Sequence, residues 1–292
     1  MKVDMDTESN EHQVEGQLFV VATPIGNLKD ISQRALEVLE SVDIIAAEDT
    51  RTSQKLLQHY QIKKHMLSYH DHNEQHTSKY ILELLRSGKN IALISDAGSP
   101  LISDPGFELV RLLREKNIRI TPIPGACSPI TAIMASGISA YSFSFLGFLP
   151  RNGQKRKVAL QEILTSSRTM IFMESPKRLL ATLAELDSLF SSNRQLCIAR
   201  EMTKLYETFL NGTCQELIEA FPDQNVRGEI VIVVAAQEAP ATLSNEDIML
   251  TLSQTDLTQA PPSAMAKKIA SQLGSHKSRI YPLLLEHMKK DR

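Results

Sequence analysis

Two short charged stretches hold the residue types from which a reactive site could be built. Glu174-Ser175-Pro176-Lys177-Arg178 and Arg200-Glu201-Met202-Thr203-Lys204 each set a carboxylate beside cations, directly after an apolar, β-branched run. Opposite charges at neighbouring strand ends can neutralise one another or converge on a polar substrate, and the spacing permits both. A second group of residues is conformational. Gly26, Gly98, Gly106 and Gly125 all fall in turns that follow apolar runs. Several such turns along one sheet edge can form a cleft that holds an uncharged nucleoside by main-chain hydrogen bonds, although any one of them alone reads as an ordinary loop.

Other chemistries are not supported. The chain has no Gly-x-Gly-x-x-Gly and no Gly-x-x-x-x-Gly-Lys-Ser/Thr pattern, so neither a dinucleotide fold nor a P-loop is indicated. His70, His72 and His76 surround Asp71 in a polar segment that reads as a solvated loop; the two nearer histidines share a face only on a strand, and no fourth ligand follows, so no metal is expected. Cys127 follows Pro124-Gly125 with no histidine nearby in sequence, and reads better as a small buried thiol at a helix start than as a nucleophile.

The elements that position these residues alternate as α/β units do. In the first half, strands are expected at Leu18 to Ala22, Val42 to Ala46, Ile91 to Ser95 and Ile118 to Ile123, with a helix from about Ile31 capped by Asp30 and buried through Ala35, Leu36 and Leu39. Polar and Gly/Pro residues collect just after their carboxyl ends, the edge at which open α/β sheets bind ligands. The basic, turn-rich stretch Pro150 to Lys157 reads as a linker. Beyond it, strands are expected at Thr169 to Met173, Leu196 to Arg200, Glu207 to Leu210 and Glu229 to Val234, with helices from near Ser175 and Thr213. After Ala236 the texture changes to connectors and a small helical tail. Ala264 to Arg292 carries seven Lys and Arg against two carboxylates, and Ile269, Leu273, Ile280, Leu284 and Leu285 flank a Gly274-Ser275 turn. That is a plausible helix-turn-helix, or an ordinary helix pair with solvated lysines.

The chain has 292 residues, 42% hydrophobic and 23% charged, which suits two globular domains and an appendage rather than disorder or a fibrous repeat. Its strongest apolar runs fall far short of the ~20 residues that span a bilayer, so no membrane is expected. The acidic residues of Met1 to Glu15 have the wrong sign for a signal peptide and suggest a frayed tail. Three widely spaced cysteines offer no disulfide framework, in keeping with a reduced, cytoplasmic protein. A net charge of −2 confines any nucleic-acid contact to local patches.

Eight motifs carry a resemblance. Val21-Ala22-Thr23-Pro24-Ile25-Gly26-Asn27-Leu28, Ala47-Glu48-Asp49-Thr50-Arg51, Ser95 to Gly106, Pro124-Gly125, Gly147-Phe148-Leu149-Pro150, Glu174 to Arg178, Glu201-Met202-Thr203-Lys204 and Arg227-Gly228-Glu229 follow in order between Gln17 and Ala236. Together they resemble the tetrapyrrole methylase superfamily, and within it the branch that methylates a cytidine 2'-hydroxyl in 16S rRNA. The resemblance implies two α/β domains with mixed sheets, an S-adenosylmethionine cleft between them, a small helical module at the end and a homodimer. The corresponding boundaries are a disordered tail at 1–16, domains at 17–150 and 151–240, and the module at 241–292. By position it implies Pro24, Gly98, Ser99, Pro100, Ile102, Cys127, Ser128, Phe148 and Gly228 as cofactor neighbours. The superfamily's Gly-Asp-Pro motif stands here as Gly98-Ser99-Pro100, with a hydroxyl in place of the carboxylate.

Methyl transfer from a sulfonium is an in-line displacement, so alignment supplies much of the rate, and a group that eases the proton from a weakly acidic ribose hydroxyl supplies more. Lys177, Arg178, Glu201 and Lys204 are the candidates for that role, with Glu48, Asp49 and Arg51 on the facing edge. Arg51, Arg151, Lys155, Arg156 and Lys157, with Lys267, Lys268, Lys277 and Arg279 of the tail, are candidates to contact rRNA phosphates. Two other readings remain: a C-methyltransferase of a tetrapyrrole, against which the basic tail and the missing carboxylate stand, and a non-catalytic RNA-binding protein with a vestigial cleft.

Overall fold

The computed structural model describes residues 15–190, 193–221, 226–237, 245–255, 257, 260–273 and 275–290. The expected tail lies outside these residues except for Glu15 and Gly16. Gly16 is buried, and its N–H donates to the Leu85 carbonyl at 2.8 Å, so it belongs to the fold. The chain divides into two compact units, Met1–Gln237 and Glu238–Arg292.

The first unit holds two five-stranded sheets. One is built from β1 (Leu18–Val21), β2 (Ile44–Ala47), β3 (His65–Ser68), β4 (Ile91–Ile94) and β5 (Ile120–Ile123), in the order β3-β2-β4-β1-β5. Every pairing in it is parallel. β4 is buried along its whole length, as its unbroken apolar run requires of a parallel strand covered on both faces. The crossovers are α1 (Gln33–Ser41), α2 (Thr50–His59), α3 (Glu74–Arg86) and α4 (Phe107–Glu115).

Several local expectations change. Asp30 does not cap α1: it ends a 3-10 turn (Leu28–Asp30), and Ser32 caps the helix by accepting from the Ala35 N–H at 3.1 Å. The edge strand β3 had no clear signal, because His65-Met66-Leu67-Ser68 lacks the apolar density of its neighbours. The histidine segment is a loop only to Asn73, whose side chain accepts from the His70 N–H and donates to the Ser68 carbonyl, closing the turn from which α3 starts.

The other sheet contains β6 (Phe143–Phe148), β7 (Thr169–Glu174), β8 (Leu196–Arg200), β9 (Thr208–Gly212) and β10 (Ile230–Val234), in the order β6-β7-β10-β8-β9. β6 runs parallel to β7 and the remaining pairs are antiparallel, so this sheet is mixed. α5 (Ser128–Ala135), α6 (Gly153–Thr165), α7 (Leu179–Asp187) and α8 (Cys214–Glu219) complete the unit. The stretch expected as a linker is therefore the entry to α6, where Arg156, Leu160 and Ile163 share one inward face at helical spacing. Leu160, Ile163, Phe172 and Leu183 join a core in which each buried large side chain contributes ~2 kcal/mol.

The second unit has helices α9 (Asn245–Ser253), α10 (Pro262–Gln272) and α11 (Lys277–Lys290) around Ile248, Leu252, Met265, Ile269, Ile280 and Leu284. Gly274, expected to turn between the last two, lies outside the described residues.

Candidate active site

The carboxyl ends of β2, β4, β5 and β7 and the start of β10 surround a cleft of about 480 Å³. Its apolar lining comes from Ile25 of the turn after β1, from Met173, and from Met202, Ile230 and Val231. Ile25, Met202 and Val231 also share one buried cluster, so the first turn and the mixed sheet are packed together beneath the cavity.

Carboxylates dominate the polar lining. Glu48, Asp96 and Asp104 line the cavity beside one another, and Glu229 lies on the side of the mixed sheet. Asp96 accepts the Asp49 N–H at 3.0 Å, which ties the ends of β2 and β4 together. Partial burial, with the Glu48 and Asp96 charges nearby, pushes the Asp104 carboxyl up to about 6, while a hydrogen bond from Ser95 opposes the rise. Burial and the charge of Asp96 also raise Glu48. This is a site short of positive charge.

Of the expected cofactor neighbours, Ile102, Ser128, Phe148 and Gly228 line the cavity. Pro24, Gly98, Ser99, Pro100 and Cys127 do not. Gly98 exchanges both backbone hydrogen bonds with Thr23, at 2.8 and 3.1 Å, and the Ser99 hydroxyl donates to the Ala126 carbonyl at 3.0 Å. These bonds brace the ends of β1, β4 and β5 against one another and engage both main-chain groups of Gly98.

The four expected catalytic residues stand around the cleft without lining it. Glu174, just before Lys177 and Arg178, borders the cavity, yet its side chain has no solvent exposure. It is held by Arg178 at 2.6 Å, Thr182 at 2.8 Å, the Ser175 N–H at 2.7 Å and, more distantly, Arg156 at 3.8 Å. Arg178 is thus an internal counter-ion. Arg156 is too: it is buried, pairs with Glu185 at 2.7 Å and donates to Thr182 and the Pro150 carbonyl, so the expectation that it contacts phosphate is corrected. Lys177 is exposed, next to Ser175 and Pro176 of the lining.

Glu201 and Lys204 pair with each other at 2.9 Å, and Lys204 reaches Glu229 at 3.1 Å. The Lys204 hydrogen bond and the Glu229 N–H hold the Glu201 carboxyl below its usual range. Partial burial lowers Lys204, but its two carboxylate partners outweigh this and leave it raised. A lysine held as a cation is no proton acceptor. Glu201 is also packed so tightly under Gly228, itself at φ +92°, that a Cβ on the glycine would lie 2.4 Å from Glu201 Cγ. Arg51, Arg151, Lys155 and Lys157 are exposed, Arg51 in a pair with Asp49. In the second unit Lys267, Lys268, Lys277 and Arg279 are exposed.

A sequence model of the family described as Tetrapyrrole (Corrin/Porphyrin) Methylases matches residues 17–218. The chain is a methyltransferase of the tetrapyrrole methylase family. Proteins called Ribosomal RNA small subunit methyltransferase I are its relatives: 46% identical in Haemophilus influenzae over 94% of this chain and 98% of that one, and 44% in Escherichia coli O157:H7 over 93% and 96%. A third, from Synechocystis, is 43% identical over 93% and 98%. Matches of this length extend beyond the family's core into the second unit. Among solved structures, diphthine synthase (TM-score 0.60, 16% identity, covering 75% of this chain and 90% of that one) and uroporphyrin-III-C-methyltransferase from Thermus thermophilus (0.52, 18%, 75% and 94%) share the fold. The family match ends before β10, yet Gly228 to Val231 complete the cavity.

Asp96 and Asp104 were not singled out from sequence. Their signal was their position after β4, on either side of Gly98-Ser99-Pro100.

Proposed function

We propose that this methyltransferase uses S-adenosylmethionine to methylate the ribose 2'-hydroxyl of a cytidine in the 16S rRNA of the small ribosomal subunit. The observation that carries this is the identity of 43 to 46% over at least 93% of the chain to proteins named for small-subunit rRNA methylation. The cleft supports it independently. Its volume falls in the range of small-molecule sites, its apolar floor suits an adenosyl group, and its carboxylates suit a donor bearing sulfonium and ammonium charges. When bound, the donor supplies an electrophilic methyl group.

The chain's own contribution is then positional and electrostatic. Ile25 and Met202 exclude water from the floor, Ile102, Ser128, Phe148 and Gly228 bound the donor space, and Glu48, Asp96 and Asp104 face its cations. The exposed Lys177 ammonium at the rim eases loss of the ribose proton, whereas Arg178, Glu201 and Lys204 hold the rim in shape. Arg151, Lys155 and Lys157 at α6, with Lys267, Lys268, Lys277 and Arg279 of the second unit, contact RNA phosphates and orient the substrate without reading its bases. This assigns donor and acceptor chemistry to 17–150 and 151–240, and substrate docking to 241–292. α5 and the segment after it expose Ile130, Met134 and Tyr141, an apolar surface suited to a second copy in a cytoplasmic homodimer.

The test is methyl transfer from radiolabelled S-adenosylmethionine to small ribosomal subunits and, separately, to a free tetrapyrrole. Label in an rRNA nucleoside linkage that resists alkaline cleavage is expected. Label on the tetrapyrrole alone overturns the proposal.

A further inference from the structure

Asp104 reaches the cavity from a loop, residues 98–106, that is conformationally demanding. Leu101 and Ser103 both have φ +71°, a left-handed conformation that is strained for a residue with a side chain. The loop keeps this shape only if both its ends are fixed. The first end is fixed by the Gly98–Thr23 exchange and the Ser99 hydroxyl. The second runs into α4, whose N-cap is Gly106, a residue with no side chain to satisfy the first N–H groups of the helix.

That cap comes from another helix. Oε1 of Glu74, the first residue of α3, accepts from the N–H of Gly106 and the N–H of Glu108, each at 3.2 Å. The same oxygen accepts from the hydroxyl of the fully buried Tyr69 at 2.9 Å, which fixes the carboxylate in place. A carboxylate at the N-terminus of α4 is favoured by the helix dipole as well as by the two donors.

We propose that Glu74 is a positioning residue for methyl-donor binding: from outside the cavity it clamps the start of α4 and so holds the 98–106 loop in the shape that presents Ile102, Ser103 and Asp104 to the donor. This rests on the donor site proposed above. Tyr69 is the support that orients the clamp.

The test uses the full chain and S-adenosylhomocysteine as the calorimetric probe, with backbone hydrogen exchange at Gly106 and Glu108 as a second readout. Glu74→Ala is expected to weaken the probe about tenfold and to speed exchange at both amides, while the cooperative melt is kept. Glu74→Gln, whose amide oxygen still accepts, is expected to restore affinity to within about threefold of the parent. Affinity in Glu74→Ala within about twofold of the parent, or Glu74→Gln as weak as Glu74→Ala, overturns the proposal. Should Glu74→Ala not fold, Glu74→Asp, with the carboxylate withdrawn by one methylene, is judged by the criteria set for Glu74→Ala. If the parent itself binds no probe, the donor site has failed, and the clamp is judged from exchange alone: unchanged protection at Gly106 and Glu108 in the variant overturns it.

Discussion

The side chain of Lys204 crosses directly over Gly26: a Cβ on the glycine would lie 2.6 Å from Lys204 Cγ and 2.8 Å from the hydroxyl of Thr203. The same hydroxyl accepts the Asn27 N–H at 3.0 Å. The turn after β1 and the loop after β8 are therefore seated against each other, one residue along from Ile25 and Met202 of the cleft floor. Gly26→Ala is expected to force the two loops apart, cost about 1–3 kcal/mol of stability and weaken donor binding about tenfold or more. Calorimetry beside a denaturation curve checks it; unchanged donor affinity would show that the contact does not shape the site.

Asp104 makes the site sensitive to pH. Its folded pKa of about 6 lies above the ordinary value of 3.8, so the folded protein binds the extra proton between these values. The sign follows: ionised Asp104 opposes folding above about pH 6, and stability is regained as pH falls through that window. Asp104→Asn is expected to melt higher than the parent at pH 7.5, with the difference fading by pH 4. Affinity for a cationic donor should move the other way, falling in the parent as pH drops below about 6 and losing that dependence in Asp104→Asn. A flat pH profile for the parent would contradict this.

Glu174 and Lys177 separate structural from functional roles within one motif. Removing the fully buried Glu174 carboxylate takes the ion-pair partner from Arg178 and leaves Thr182 without its acceptor, so Glu174→Ala is expected to cost about 3–5 kcal/mol by urea denaturation. Lys177→Ala, at an exposed position, is expected to change stability by less than about 0.5 kcal/mol and donor affinity not at all, while slowing methyl transfer. Equal destabilisation by both substitutions would refute the division.

The second unit folds around its own core, so a chain ending at Gln237 is expected to bind donor as the full protein does. Its RNA affinity should fall and depend less on salt. Within the full chain, Lys267→Ala with Lys268→Ala is expected to lower the slope of log affinity against log salt by about 1.4 to 1.8, at ~0.7 to 0.9 for each phosphate that is no longer neutralised. An unchanged slope would remove these lysines from the RNA interface.

The sheets were legible wherever apolar runs were dense: Ile91 to Ile94, Leu196 to Arg200 and Ile230 to Val234 form strands as their sequences suggest. β3 and β6 were not, because His65 to Ser68 has only Met66 and Leu67 between polar ends and Phe143 to Phe148 carries serine and glycine with a register shift in its pairing. Within the site, position along the chain located the rim but not the direction of its side chains. Arg156 read as a phosphate contact and Arg178 as a catalytic candidate, yet both turn to the buried Glu174. Asp104 was hidden for the opposite reason: its raised pKa depends on burial within the cleft and on the charge of Glu48, which arrives from the end of β2.

The most direct measurement is a calorimetric titration of the well-folded full-length protein with S-adenosylmethionine, repeated on Asp104→Asn. One site per chain, displaced by S-adenosylhomocysteine and markedly weakened in the variant, is the predicted result. No heat of binding in the parent, or equal affinity in the two proteins at pH 7.5, would contradict a donor site built on the carboxylates between the two sheets.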